Sequence, residues 1–323
     1  MRIRAVCDGV RTEGMKPSRV GTLLLCVFVA GLAGAGPVQG TNAFHLSTGD
    51  PDGKIATASR PGPSSGVNQE TESADDFTLN APETLIDHAT FIGLVPSSVS
   101  VPSDISQVRV EIYRVFPKDS DTSRTSGPPT FSTSQVPTRV NSPADVEFDD
   151  RDTAAANLTF TVTILNSDFT ALNSVDTGIH PKPGQTTGGD GRVAGQEVLF
   201  DVTFVKPFNL PPDHYFFIPQ VLLSDPDDHF LWLSTPKPIV SPGTPFTPDL
   251  QSWIRNADLD PDWLRVGTDI VGSGAFNAAF SLDGTSTVEA PVLSRMGLAV
   301  LVVLLVVVVP AVVHLRRRPA TTG

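Results

Sequence analysis

The sequence predicts an all-β body, an antiparallel β-sandwich of jelly-roll type folded as a single domain, with an N-terminal signal peptide and a C-terminal transmembrane helix. Three observations lead there. The run Leu158-Thr159-Phe160-Thr161-Val162-Thr163-Ile164 alternates apolar and polar without a break, which is the period of a half-buried strand. The 29 prolines and 26 glycines favour many turns, and no stretch keeps a long 3.6-residue period. Two apolar runs near the chain ends have the flanks of targeting segments.

Residues 1–40 form the first segment. Val20 to Gly36 is rich in Leu, Val, Ala and Gly, follows Lys16 and Arg19, and ends in Val38-Gln39-Gly40. A positive start, a short apolar stretch and a small-residue exit together make a secretory signal peptide, with cleavage expected after Gly40 and after Ala35 as the alternative. Met15-Lys16-Pro17 could itself begin such a leader. Cys26 sits inside the apolar run, not at its end, which argues against lipidation.

The body follows. Residues 41–76 are polar, with Gly, Pro, Ser and Asp throughout, and predict a lead-in with little strand content. The sandwich is expected over 77–288. Val108, Val110 and Ile112 alternate with Arg109, Glu111 and Tyr113; Val198, Phe200, Val202 and Phe204 with Asp201 and Thr203; Phe276, Ala278, Phe280 and Leu282 with Asn277 and Ser281. Thr84–Val95, His214–Leu223 and Phe230–Leu233 predict further, more buried strands. Residues 118–143 and 181–195 predict long loops, and 282–289 a link to the tail.

The tail has three parts: 289–295, a short motif and linker; 296–315, an apolar stretch of about bilayer-crossing length; and 316–323, a basic end opening with Arg316, Arg317 and Arg318. Positive charge resists translocation, so the arginines are expected in the cytoplasm and the body on the far side.

Between residues 41 and 288 there are 14 basic and 32 acidic residues, a net charge of −18. That surface repels phosphate backbones, and nucleic acid is not an expected partner. Both cysteines, Cys7 and Cys26, precede the body, so disulfides, thiolate metal sites and cysteine nucleophiles are excluded from it.

Pro291-Val292-Leu293-Ser294, then Met296-Gly297-Leu298, the apolar span and the arginine cluster together resemble a bacterial C-terminal sorting signal of the PEP-CTERM class, closest to its relative with an Ile-Pro-Thr-Leu-Ser start. Val292 stands in place of the usual threonine, and Met296 where that relative often has tryptophan. The resemblance covers roughly the last 35 residues. It implies recognition by a membrane-embedded sorting enzyme, removal of the tail, and delivery to the outer surface or extracellular matrix. The sorting residues are then Pro291, Val292, Leu293, Ser294, Gly297, Arg316, Arg317 and Arg318. The stretches Ala74-Asp75-Asp76-Phe77-Thr78, Phe208 to Tyr215 and Phe230-Leu231-Trp232 resemble landmarks of uncharacterised exported β-sandwich ectodomains. Those have no activity to transfer.

Candidate chemistry within the body is sparse. Asp225, Asp227 and Asp228 share one loop with His229, and hard oxygen ligands on a flexible loop suit structural Ca²⁺, although Asp-Pro pairs are also ordinary turn formers. Asp258, Asp260 and Asp262 alternate in a second loop, and Asp119 and Asp121 open a third that lacks the glycine and glutamate of an EF-hand. His45, His88, His180, His214 and His229 show no metal-ligand spacing, and no Gly-x-Ser-x-Gly elbow, phosphate loop or dinucleotide fingerprint occurs. Trp232, Trp253 and Trp263 are either core or a platform for sugar rings. These readings favour a non-enzymatic cell-surface or matrix protein that requires no cofactor, ahead of a module binding extracellular polysaccharide and a glycan-active enzyme with paired carboxylates.

Overall fold

The computed structural model of the chain describes residues 39–289, apart from 63–69, 128–129, 134–135, 178 and 180–186, together with residue 305. The expected leader up to residue 38, the sorting motif Pro291 to Ser294 with Gly297, Arg316 to Arg318, and His180 all lie outside the described residues, as does the expected span 296–315 apart from Leu305. Among the described residues no helix is long and apolar enough to cross a membrane. One compact unit runs from Gly40 to Val288.

Fifteen strands build it: β1 (Gln39–Ser47), β2 (Ile55–Ala58), β3 (Thr71–Leu79), β4 (Thr84–Val95), β5 (Ile105–Arg114), β6 (Asp149–Asp152), β7 (Leu158–Ala171), β8 (Asn173–Val175), β9 (Val193–Leu210), β10 (Asp213–Leu223), β11 (Leu231–Thr235), β12 (Trp253–Asn256), β13 (Leu264–Arg265), β14 (Asn277–Ala278) and β15 (Phe280–Glu289). They form two sheets. The first has the order β1-β15-β4-β11-β2-β8, with β9 joining β4 to β7 and β14 on β11; the second has the order β13-β12-β3-β10-β5-β6. β2 and β8 pair parallel, whereas β3–β10, β3–β12, β4–β9, β4–β11, β4–β15, β5–β6, β5–β10, β7–β9, β2–β11, β11–β14 and β12–β13 are antiparallel. Among the described residues of this unit, the helical pieces are a 3-10 turn at Thr122–Arg124 and a π turn at Val266–Val271.

The all-β expectation holds, and the alternating stretches named above fall on strands, except that Phe276 to Leu282 is split between β14 and β15 with Phe276 outside both. Two expectations fail. The polar lead-in 41–76 carries β1, β2 and the start of β3, and the supposed link 282–289 is the body of β15. β3 reads Thr-Glu-Ser-Ala-Asp-Asp-Phe-Thr-Leu, with eight of its nine residues buried. Glu72, Ser73, Asp75 and Asp76 find partners inside the fold, so its first six residues carry little of the apolar signal by which a strand is recognised.

Inward-facing alternate positions of both sheets meet in a shared core of Phe77, Phe91, Val108, Val110, Ile112, Phe200, Phe217, Phe230, Trp232 and Phe280. Phe91 stacks on Phe200 across the β4–β9 ladder at 4.8 Å, and Phe230 meets Phe200 edge-on at 5.4 Å. Gly93 makes room for this: a Cβ there would lie 2.1 Å from the Phe230 ring. Trp232 is 1 % exposed and its Nε1 donates to the Ala279 carbonyl at 2.8 Å, so it is core and offers no sugar platform. Asp75 ties the sheets together from β3. Its carboxyl accepts from the backbone N of Ala278 on β14 at 2.8 Å and from Ser252 Oγ at 3.1 Å.

Phe217 lies 5.0 Å from the Phe280 ring and 6.1 Å from Trp232, joining the two sheets. Phe217→Ala is expected to cost about 3–5 kcal/mol in urea denaturation; a loss below about 1 kcal/mol would mean the core collapses around the gap.

Candidate functional site

The second sheet is covered on both faces. Its outward alternate positions carry Glu72, Ala74 and Asp76 on β3, Arg109, Glu111 and Tyr113 on β5, Phe216, Ile218 and Gln220 on β10, and Trp253 and Arg255 on β12. The registers set Arg255 opposite Glu72, Ile218 opposite Glu111 and Gln220 opposite Arg109. One half of this face is aromatic and aliphatic, where Ala74, Tyr113, Phe216, Ile218, Trp253 and Trp263 pack with Ala144. The other half is charged.

Loops roof this face. Ala144 N donates to the Arg114 carbonyl at 2.9 Å, and Trp263 Nε1 to the Ala144 carbonyl at 3.0 Å. Trp263 is 2 % exposed and Trp253 is 1 % exposed. The idea of three exposed stacking tryptophans is therefore corrected: all three rings are buried and none presents its face to solvent.

Under the roof lies a cavity of about 330 Å³ lined chiefly by Glu70, Glu72, Arg109, Glu111, Tyr113, Glu147, Arg255 and Asp260. Arg255 is its hub. The guanidinium forks onto Glu72, with Nη2 to Oε1 at 3.0 Å and Nε to Oε2. It also donates to Tyr113 Oη at 2.8 Å, while that hydroxyl donates to Glu72 Oε1 at 3.0 Å. Its Cζ sits 4.4 Å from the Trp263 ring centre and 5.3 Å from that of Tyr113. Asp260, one of the alternating aspartates, pairs with it at 2.9 Å. Asp262, the next, is buried and pairs with Arg124 at 3.2 Å.

Burial and the carboxylates pull the charges in definite directions. Burial works against the Arg255 cation, but Glu72 outweighs it and the pKa is raised. Burial pushes Glu111 well above the usual carboxylate range, and the adjoining Glu72 adds to the push. Arg109 Nη2 holds Glu111 Oε1 at 2.8 Å. Glu70 is raised by burial and then by Glu72. Glu111 can thus keep a proton where an exposed acid would not.

The other candidates are dispersed. Asp225 turns back on its own loop, accepting from Asp227 N at 3.0 Å, and no group of three or more His, Cys, Asp or Glu among the described residues is placed to hold a metal ion. The three carboxylates Asp225, Asp227 and Asp228 do not form the expected calcium site, because the turn uses the first of them as its own cap. Asp119 pairs with Arg114, and Asp121 caps Ser123 N at 2.9 Å. The four described body histidines each meet an aspartate: His45 with Asp283, His88 with Asp201, His214 with Asp76 and His229 with Asp176. Sequence reasoning missed Glu72, Glu111 and Arg255. The signal was there in Arg109 and Glu111 at the polar positions of an alternating strand, but alternation alone assigns such positions to solvent.

Two outcomes follow. Arg255→Met strands the buried Glu72 carboxylate and should cost about 3–5 kcal/mol in chemical denaturation; a cost under about 1 kcal/mol would show the pair is dispensable. The raised Glu111 has the opposite pH signature to a paired acid. Above the ordinary value of 4.5 the unfolded chain releases this proton while the folded chain keeps it. Stability therefore falls as pH rises from 4.5 towards the folded value, by at most about 1.4 kcal/mol per pH unit. Glu111→Gln should flatten that fall in denaturation curves taken from pH 4.5 to 8; an unchanged slope would place the proton elsewhere.

No protein-family model matches the chain, and neither the curated proteins nor the solved structures include one significantly similar to it.

Proposed function

We propose that this is an exported envelope protein. Its body is a β-sandwich of jelly-roll type that works outside the cytoplasm as a non-catalytic interaction module, delivered by the leader 1–40 and the sorting tail 289–323. One observation carries the reading. β1 and β15, the first and last strands, are neighbours at one edge of the first sheet, and a Cβ on Gly40 would lie 3.6 Å from Val288. Chain entry and chain exit therefore sit side by side. A leader can be cut away and a tail held or cut without crossing the body or opening its core. The acidic, thiol-free composition of 41–288 suits an oxidising exterior. The partners of this reading are a membrane-embedded sorting enzyme acting at Pro291 to Ser294 and an extracellular polysaccharide met by the body.

Replacing Pro291 to Ser294 by an alanine–glycine mixture tests it in cells. The parent should appear on the surface or in the medium, shortened at the tail and with a mature N-terminus near Thr41 by intact mass. The variant should remain at full tail length in the inner membrane. Identical fractionation of the two, both retaining the tail, would sink the sorting reading.

A further inference from the structure

Two clefts away from the charged cavity share a wall. The larger, about 670 Å³, is lined in part by Val140, Leu250, Trp253 and Arg265; the smaller, about 320 Å³, in part by Asp52, Leu172, Thr235 and Phe276. Lys237 and Ala275 belong to both. Each holds a buried polar group that the protein leaves unused. Trp253 is 1 % exposed and its Nε1 has no hydrogen-bond partner; Thr235 is fully buried and neither donates nor accepts through Oγ1. Asn277, opposite Thr235 in the β11–β14 pair, is buried with both ends of its amide unpartnered. Buried polar groups are nearly always satisfied, so such a concentration beside paired cavities points to an absent partner.

We propose that the two clefts form a continuous site for a neutral glycan chain, one stretch of sugar in each, with the Lys237 side chain between them. This rests on the reading that the body meets extracellular polysaccharide, and it names the class of that partner. Charge selects the neutral class. Every cation in the two linings already has its carboxylate: Lys237 with Asp249 at 2.8 Å, Arg265 with Asp269 at 2.7 Å and Lys54 with Asp52 at 3.2 Å. A charged ligand would have to break one of these pairs. Apolar side chains at the rims, Val140 and Leu172, are 44 % and 60 % exposed and suit the C–H faces of sugar rings. The Thr235 hydroxyl and the Trp253 indole N–H, on residues that line the clefts, suit sugar oxygens. An extended peptide fits less well, because the adjacent edge strand β8 is covered: Asp190 N donates to the Ser174 carbonyl at 2.8 Å, and Gly191 N to Asn173 Oδ1 at 2.9 Å.

Isothermal titration calorimetry on the full chain in mild detergent tests this directly. The probes are cellotetraose, maltotetraose and mannotetraose, with tetragalacturonate, a glucosamine tetramer and an uncharged Gly-Ser octapeptide as contrasts. At least one neutral tetrasaccharide should bind and the contrasts should not. Trp253→Phe and Thr235→Val each remove a donor with little change of shape, and each should weaken that sugar about five- to tenfold. Thr235→Val should leave the melting temperature equal or higher, since it deletes a buried hydroxyl that nothing satisfies, which separates a binding role from a structural one. The proposal is overturned if no neutral tetrasaccharide binds at millimolar concentration, if the peptide or a charged oligomer binds as well, or if both variants bind like the parent. Because the assay uses purified chain, its result is independent of where the cell sends the protein.

Discussion

The Glu72–Arg255 ion pair is the contact on which the second layer of this body depends. It lies on the outer face of the second sheet, where an all-β protein usually meets water. Here the face is closed, and a closed face must satisfy every charge placed on it. Glu72 and Arg255 do so reciprocally across the β3–β12 register, with Tyr113 completing the ring of hydrogen bonds and Trp263 stacking on the guanidinium. The pair also reaches the roof, since Arg255 Nη1 donates to the carbonyls of Asp145 and Pro261, each at 3.3 Å. Without it the loops would cover an unpaired charge.

This gives the body two kinds of interior. Between the sheets lies an apolar core of stacked phenylalanines, crossed at one place by the carboxyl of Asp75. Burial, and next the neighbouring Asp76, raises Asp75 well above the usual aspartate range. Under the roof lies a polar interior held by directed contacts. Hydrophobic burial forbids a one-residue slip but tolerates a slip of two that keeps the same face inward, whereas the Glu72–Arg255 fork tolerates neither. The polar interior therefore adds specificity in how β3, β5, β10 and β12 align, a role that buried ion pairs fill in some proteins and that costs them stability.

Three features divide the work of the molecule. The charged cavity uses most of its groups on one another, Arg255 on Glu72, Arg109 on Glu111 and Asp260 on Arg255, with Arg109 Nε and Glu111 Oε2 left unpartnered. The paired clefts have their cations paired and a buried indole and hydroxyl left open. The edge where Gly40 lies beside Val288 brings the first and last strands together. These three features occupy separate parts of one compact unit.

The sequence by itself determined the class of the fold and the position of most strands, because period-two alternation and long apolar strands follow from the chemistry of a single residue and its neighbours. Val108 to Tyr113, Leu158 to Ile164 and Thr84 to Val95 could be assigned without any partner in view. Only the tertiary structure decided what happens to polar residues. Thr71 to Asp76 looked like a loose lead-in and is a buried strand; Trp253 and Trp263 looked available and are packed away; Asp225 to Asp228 looked like ligands and form a turn. Thr235, Asn277, Glu72 and Arg255 carried no signal at all. The free energy of a buried polar group depends on the group opposite it, and that group comes from a strand 40 to about 180 residues away, which no local pattern can specify.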